Sequence, residues 1–157
     1  MTRVDIAFVV QSLHKPKHSH MEAALRVVRY IKGALGLGLL MPAESSSTLE
    51  ALCDSDWAGC LQTRKSVTGY LVKFGGALIS WKSKKQDTIS RSSAEAEFRS
   101  MASVVAELTW LTGLFKELGI SNHQPMHLQC DNKAAIQIAH NPIFHEKTKH
   151  IDIDCHL

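Results

Sequence analysis

The chain has 157 residues, the size of one domain or of one compact domain with an appendage. Hydrophobic residues make up 45% and charged residues 21%, which excludes a disordered tail, a fibrous protein and a low-complexity linker. No apolar run approaches the roughly 20 residues of a membrane-spanning helix, and the start of the chain lacks the pattern of a signal peptide, so we expect no membrane partner. Four widely spaced cysteines without a CxxC pair predict reduced thiols in an intracellular protein.

Residues 1–45 are predicted to form a short helical segment, and they carry the whole net charge of +3. Residues 4–13 are apolar and fit either a helix or a strand, and Pro16 ends that pattern. From Ser19 the apolar residues recur at helical spacing until Gly33. Two helices of this size make a hairpin rather than a domain, so the domain boundary is predicted near residue 45.

Residues 46–157 begin with three predicted strands, at 48–56, 68–76 and 77–85. The Gly75-Gly76 pair between the second and third is a tight-turn signal, so these strands are predicted to form an antiparallel meander.

A long helix is predicted next, because Ser92 and Glu95 form an S-x-x-E capping box and Gly119 provides a stop. We expect it to pack on the sheet through four apolar side chains, Met101, Val105, Leu108 and Leu111.

A buried strand is predicted at 126–131 and a short helix at 132–140. Because a helix connects it to the meander, this strand is expected to lie parallel to the first one and beside it. The fold class is therefore α/β, a mixed sheet with flanking helices preceded by a short helical segment.

Acidic residues are predicted to gather at one edge of this sheet. Asp54 and Asp131 end the two neighbouring parallel strands, where ligands bind in open α/β sheets. Glu95 lies in the first turn of the long helix, and Asp152 lies in the last segment. Gathered carboxylates repel unless divalent cations neutralise them, and oxygen ligands favour Mg²⁺ or Mn²⁺. Two such ions support hydrolysis of a phosphodiester.

Each of these acids also has a purely structural interpretation. Glu95 serves equally as the capping-box glutamate, and Asp131 serves equally as a cap for the helix that follows it. Asp54 fits a turn, and Asp152 is one of several acids near the end of the chain.

Six ordered motifs carry a resemblance to a known family. They are DSDWAG (54–59), RKSVTGY (64–70), ALISWKSKKQ (77–86), SSAEAEF (92–98), CDNKAAI (130–136) and KTKHIDI (147–153). Together they resemble the ribonuclease H domain of copia-type (Pseudoviridae) retrotransposon polyproteins, over residues 48–157. Residues 4–40 are similar to the reverse transcriptase tail that precedes this domain. The family continues its last helix beyond the position of Leu157, so residues 46–157 are expected to be a truncated ribonuclease H-like domain.

The resemblance implies a ribonuclease H-like fold that cleaves the RNA strand of an RNA–DNA hybrid with two Mg²⁺ ions, for which Mn²⁺ is a substitute. It implies the reverse transcriptase domain of the same polyprotein as a partner, and a cytoplasmic (virus-like particle) or nuclear location. The implied catalytic and metal-binding residues are Asp54, Glu95, Asp131 and Asp152. His150 is the alternative for the fourth, and a register slip of two would substitute Asp56 and Glu97.

Four further residues are candidates for substrate binding. Arg64, Lys65 and Ser66 lie in a loop where they could hold a phosphate, and Asn132 is a candidate for contact with a 2′-hydroxyl. An ordinary polar loop explains them equally well. Two alternatives to the nuclease stay open: a catalytically inactive fragment that packs against a polymerase, and a nucleic-acid-binding module without catalysis.

Overall fold

The structure, a computed structural model, describes residues 3–13, 16–43, 47–120 and 125–141. Short 3-10 turns at Val4–Ile6 and His18–His20 precede the first two helices. The helices are α1 (Ala7–Ser12), α2 (Met21–Gly33), α3 (Ser93–Glu117) and α4 (Lys133–His140). The strands are β1 (Leu49–Asp56), β2 (Val67–Phe74), β3 (Ala77–Lys85) and β4 (His127–Gln129), in one sheet of order β3-β2-β1-β4.

The first three strands form the predicted antiparallel meander. β1 pairs with β2, and β2 pairs with β3. Gly75 and Gly76 connect β2 to β3 with φ of 56° and 80°, a conformation in which a side chain is strained at both turn positions. The turn therefore sets the pairing of Phe74 with Ala77 beside it, and the register shifts further along the hairpin, between Val72 and Lys73.

The parallel pairing of β4 with β1 is also confirmed, with Glu50 opposite His127 and Leu52 opposite Gln129. The α/β class with a mixed sheet and flanking helices, of the ribonuclease H-like kind, is thus the observed fold. The prediction that β4 is buried is wrong, since His127 and Gln129 are exposed and Leu128 is only half-buried. β4 lies at one end of the described sheet, where solvent reaches its flanks.

Helix α3 packs across β1 and β2 and forms the core with them. Its buried apolar side chains are Val104, Leu108, Leu111 and Phe115, with Met101 partly buried. The expected contact through Val105 is wrong, because that side chain is 49% exposed. Each residue turns a helix by about 100°, so a stripe that includes Val104 leaves its neighbour on the flank.

The first helical segment is only partly joined to the sheet. Ile6 is buried and α1 lies against β3, whereas α2 buries no residue. Arg3 ties the segment together, since it pairs with Asp5 at 2.7 Å, donates to the Ala34 carbonyl at 2.9 Å and lies over the Tyr30 ring. The predicted domain boundary near residue 45 falls at the undescribed residues 44–46 and stays a prediction.

Candidate metal centre

The carboxyl ends of β1 and β4 place two acidic residues side by side. The parallel register ends with Leu52 opposite Gln129. Asp54 lies two residues further along β1, and Asp131 lies two residues beyond the end of β4. Both side chains are exposed, and both line a cavity of about 630 Å³ between α1 and the open face of the sheet. The structure therefore brings these two predicted site residues together at an accessible edge.

A glutamate from the first turns of α3 joins them, and it is Glu97. Its carboxylate is 5% exposed, and its Oε1 accepts a hydrogen bond from the Ser55 backbone N–H at 2.9 Å. Its Oε2 lies 3.9 Å from Cys130 Sγ. One donor atom from each of Glu97, Cys130 and Asp131 lies within 4.8 Å of the others. We call these three residues, with Asp54, the acidic cluster.

The electrostatics of the acidic cluster favour a cation. Burial raises the pKa of Glu97 to about 7, and the carboxylates of Asp54 and Asp131 add to the rise, while the Ser55 N–H opposes it. Across the described ranges, no lysine, arginine or histidine forms an ion pair with Glu97. Within the part of the chain that the structure describes, the buried charge thus has no positive partner of the kind that such a group needs.

Two thiols, that of Cys130 in the acidic cluster and that of Cys53 beside it, are held in the protonated form. Burial raises the pKa of Cys53 to about 12, and burial also raises the pKa of Cys130. Cys53 Sγ donates to the Gln129 carbonyl at 3.6 Å, whereas Cys130 Sγ points to Glu97.

Glu95, the glutamate predicted as a ligand, is engaged elsewhere. Its backbone N–H donates to Ser92 Oγ at 3.1 Å, and its Oε2 accepts from the Arg91 N–H at 2.8 Å. Its Oε1 lies 3.3 Å from the Arg99 guanidinium. These contacts cap the start of α3 and add an ion pair, although the Glu95 carboxylate bonds the N–H before the N-cap Ser92 rather than that of Ser92 itself. The structure does not bring Glu95 into the acidic cluster. A metal-binding role for it stays a prediction without geometric support.

The sequence held a signal for Glu97. Buried positions of α3 recur at three- and four-residue spacing along one face: Glu97, Ser100, Val104, Leu108, Leu111 and Phe115. Extended back to the start of the helix, that stripe includes Glu97. Glu95 lies two residues earlier, about 200° around the helix. Glu95 is buried as well, so this stripe alone does not separate the two glutamates.

A buried polar network holds α3 against β1. Ser100, fully buried, donates to the carbonyls of Asp54 and Gly69 at 2.9 and 3.2 Å. Gln86 Nε2 donates to Thr68 Oγ1 at 3.1 Å and to the Ala96 carbonyl at 3.0 Å. These bonds fix the backbone on both sides of the acidic cluster.

Of the remaining predicted site residues, some are exposed and others are engaged in hydrogen bonds within the protein. Arg64 is exposed with φ of 54°, and Lys65 Nζ donates to the Asp87 carbonyl at 2.6 Å. Ser66 is fully buried and its Oγ accepts from the Ala58 N–H, so its hydroxyl is part of the loop. Asn132 is the N-cap of α4, since its Oδ1 accepts from the Ala135 N–H at 3.0 Å. Asp152 and the alternative His150 lie outside the described residues.

Comparison with known proteins identifies relatives along nearly the whole chain. The chain is 41% identical over 160 aligned residues to the retrovirus-related Pol polyprotein from transposon RE1 of Arabidopsis thaliana, and 38% identical to that from transposon TNT 1-94 of Nicotiana tabacum. Each alignment covers 99% of this chain but only 11% and 12% of the polyprotein. The chain thus spans about a tenth of the length of these relatives.

A shorter relative is covered more fully. Secreted RxLR effector protein 161 of Plasmopara viticola is 37% identical over 116 residues, which are 71% of this chain and 82% of that protein. No family model matches the chain, and no solved structure matches it. Within the described ranges, each helix is too short or too polar to cross a membrane.

Proposed function

We propose that this chain, which is similar to retrovirus-related Pol polyproteins of transposons, is the ribonuclease H part of such a polyprotein. The proposed reaction is metal-dependent hydrolysis of the RNA strand of an RNA–DNA hybrid. One observation carries the proposal: Glu97 converges with Asp54 and Asp131 at the carboxyl ends of two parallel strands.

The donor chemistry of the acidic cluster fits Mg²⁺. Asp54, Glu97 and Asp131 offer carboxylate oxygens, the ligands that Mg²⁺ and Mn²⁺ prefer. Divalent cations bound there supply charge stabilisation for an in-line displacement at phosphorus. We propose that two such ions bind at the acidic cluster, the number that the resemblance implies.

The protein's own residues have distinct parts in this proposal. Asp54 and Asp131 are exposed at the cavity, so they can meet a scissile phosphate from solvent. Glu97 is buried beneath them and held in place by the Ser55 N–H, which fixes one carboxylate before the substrate arrives. Only the ionised carboxylate of Glu97 can bind a cation. Because burial raises the pKa of Glu97, a bound cation has to lower that pKa again.

Basic residues near the acidic cluster suit a polyanionic substrate. Lys84, Lys85 and Arg99 line a groove of about 510 Å³ between β3 and α3, and Arg64 is exposed on the adjacent loop. Contacts with phosphates position a nucleic acid without reading its bases. We therefore assign the backbone of the hybrid to this side of the molecule.

Helix α2 is the proposed contact with the reverse transcriptase domain of the same polyprotein. Its apolar side chains Met21, Leu25 and Val28 are 63%, 46% and 60% exposed. An amphipathic helix with an uncovered apolar face is typical of a segment that packs on another surface. This chain aligns with only about a tenth of each polyprotein relative. The rest of such a polyprotein is long enough to contain the surface on which α2 would pack.

The test is cleavage of a labelled RNA–DNA hybrid with Mg²⁺, against RNA–RNA and DNA–DNA duplexes. The proposal predicts cleavage of the hybrid alone and its loss on removal of Mg²⁺. Asp54→Asn should abolish cleavage, whereas Asp56→Asn, an exposed neighbour two residues on, should leave it near the wild-type rate. Hybrid binding without cleavage would instead favour the inactive-fragment alternative.

A further inference from the structure

One side-chain amide lies between the strands and the helix that carry the acidic cluster. It belongs to Gln86, the residue after β3. Its Nε2 donates to the Ala96 carbonyl at 3.0 Å and to Thr68 Oγ1 at 3.1 Å. The same nitrogen lies 3.4 Å from the Oγ of Ser55, which is opposite Thr68 in the pairing of β1 with β2. The amide therefore joins two strands to the start of α3.

The partners of this amide fix its orientation. A backbone carbonyl only accepts hydrogen bonds, so the Ala96 carbonyl requires the NH₂ group of Gln86 on its side. On the other side, the Ser90 hydroxyl donates to Gln86 Oε1 at 3.0 Å. Ser90, Thr68 and Ala96 are all buried. Hydrogen bonds in such low-dielectric surroundings are stronger than exposed ones, so these contacts hold the amide in one position.

Both ends of the hydrogen bond that holds Glu97 are anchored on Gln86. The donor is the backbone N–H of Ser55, whose side chain lies beside Gln86 Nε2. The acceptor belongs to the residue that follows Ala96, and the Ala96 carbonyl takes a shorter bond from the same nitrogen. Loss of the amide would loosen β1 from the start of α3. A misplacement of about 1 Å near a reacting centre can lower a rate about a hundredfold.

Gln86 also borders the groove assigned to the substrate. It follows Lys84 and Lys85 directly and lines the same groove as they do. This residue thus contacts the framework of the acidic cluster and lies beside the lysines proposed to meet the phosphates.

We propose that Gln86 is a positioning residue of the nuclease: its amide keeps the Ser55 N–H against the Glu97 carboxylate and so holds Glu97 in place within the acidic cluster. Gln86 acts through Ser55 and Ala96 rather than on the substrate. The catalytic consequence rests on the proposed function, whereas the effect on the Ser55 N–H does not.

Hydrogen exchange of the full chain without metal tests the effect on Ser55. In Gln86→Met the side chain keeps a similar length but cannot donate a hydrogen bond. The Ser55 amide should then exchange at least about tenfold faster relative to the amides of β2. Ser80→Ala is the matched control, because Ser80 Oγ donates to Glu107 Oε1 at 2.6 Å and so also joins β3 to α3. In this control the ratio should stay within about twofold of the wild type.

A purely structural role would give a different result. If Gln86→Met accelerates the amides of Ser55 and β2 equally, the side chain contributes only to global stability, and the inference is overturned. Gln86→Glu keeps the shape and the acceptor for Ser90 but lacks the NH₂ group. It provides the same comparison, with the same expected result, if Gln86→Met does not fold.

The catalytic part is measured as kcat and KM for hybrid cleavage with saturating Mg²⁺. In Gln86→Met, kcat should fall at least about tenfold while KM stays within about threefold of the wild type, and Ser80→Ala should change neither by more than about threefold. A raised KM with unchanged kcat would mean that Gln86 binds the substrate directly, which overturns the catalytic part. If the wild type does not cleave the hybrid but the Ser55 amide still responds selectively to Gln86→Met, the proposed function fails and the positioning of Ser55 stands.

Discussion

Removal of the Glu97 charge is expected to stabilise the metal-free protein above neutral pH. The change is Glu97→Gln, in which the amide oxygen can still accept the Ser55 N–H. The carboxylate is buried beside Asp54 and Asp131, so its ionised form is unfavourable without a cation. An uncharged amide of nearly the same shape removes that cost.

The magnitude follows from the pKa of Glu97, which rises from 4.5 to about 7 on folding. Because the folded-state pKa is the higher one, the stability contributed by protonated Glu97 is complete below pH 4.5 and is lost as the pH rises through 7. The difference corresponds to a free energy on the order of 3 kcal/mol. Glu97→Gln should therefore be more stable than the wild type by up to this amount at pH 8, and equally stable near pH 4.5.

The assay is urea denaturation of both proteins between pH 4.5 and 8 in the presence of a chelator. The free energy of unfolding should fall with rising pH more steeply in the wild type than in Glu97→Gln. Added Mg²⁺ should stabilise the wild type at pH 8 and have little effect on the variant. Glu95→Gln is the matched control, since Glu95 pairs with Arg99 and caps α3. The reasoning is refuted if Glu97→Gln is the less stable protein at pH 8, or if the two pH profiles are parallel.

Two further changes test the framework around the acidic cluster. Ser100→Ala removes a fully buried hydroxyl that donates to the carbonyls of Asp54 and Gly69. This change should lower the free energy of unfolding by about 1–3 kcal/mol. A decrease below about 0.5 kcal/mol would mean that water replaces these hydrogen bonds. Leu49→Ala empties a fully buried position in the core and should cost about 2–5 kcal/mol, whereas Leu61→Ala, at an 83% exposed position, should change stability by no more than about 0.5 kcal/mol. Equal effects of the two leucine changes would show that the core is placed wrongly.

Most of the sheet could be predicted because its signals are local. The Gly75-Gly76 turn, the flanking β-forming residues and the S-x-x-E box at Ser92 each identify an element from a few adjacent residues. The parallel pairing of β1 with β4 then follows from the handedness of a helical crossover. These elements lie within about two residues of their predicted positions.

The choice between the two glutamates needed tertiary information. In the first turns of α3 every side chain from Glu95 to Phe98 is buried, so burial and polarity do not separate Glu95 from Glu97. What separates them is the partner that each carboxylate meets: the Arg91 N–H for one and the Ser55 N–H of β1 for the other.

The position of the first residues also depended on non-local contacts. Residues 4–13 fitted a helix or a strand, and nothing in them indicates that α1 lies against β3 and borders the cavity of Asp54. The Arg3 contacts to Ala34 and Tyr30 join residues about 30 positions apart. Such contacts depend on the packed arrangement of the elements.

The rate of hybrid cleavage by Glu97→Gln, compared with Glu95→Gln, tests the central claim most directly. Glu97 is the proposed ligand and Glu95 is the cap, and both changes convert a buried carboxylate into an amide on the same helix. With saturating Mg²⁺ and a labelled RNA–DNA hybrid, we predict that Glu97→Gln loses at least about a hundredfold in rate, since a metal ligand contributes several kcal/mol to charge stabilisation. Glu95→Gln should stay within about threefold of the wild type. An active Glu97→Gln beside an inactive, folded Glu95→Gln would contradict the assignment of the metal centre.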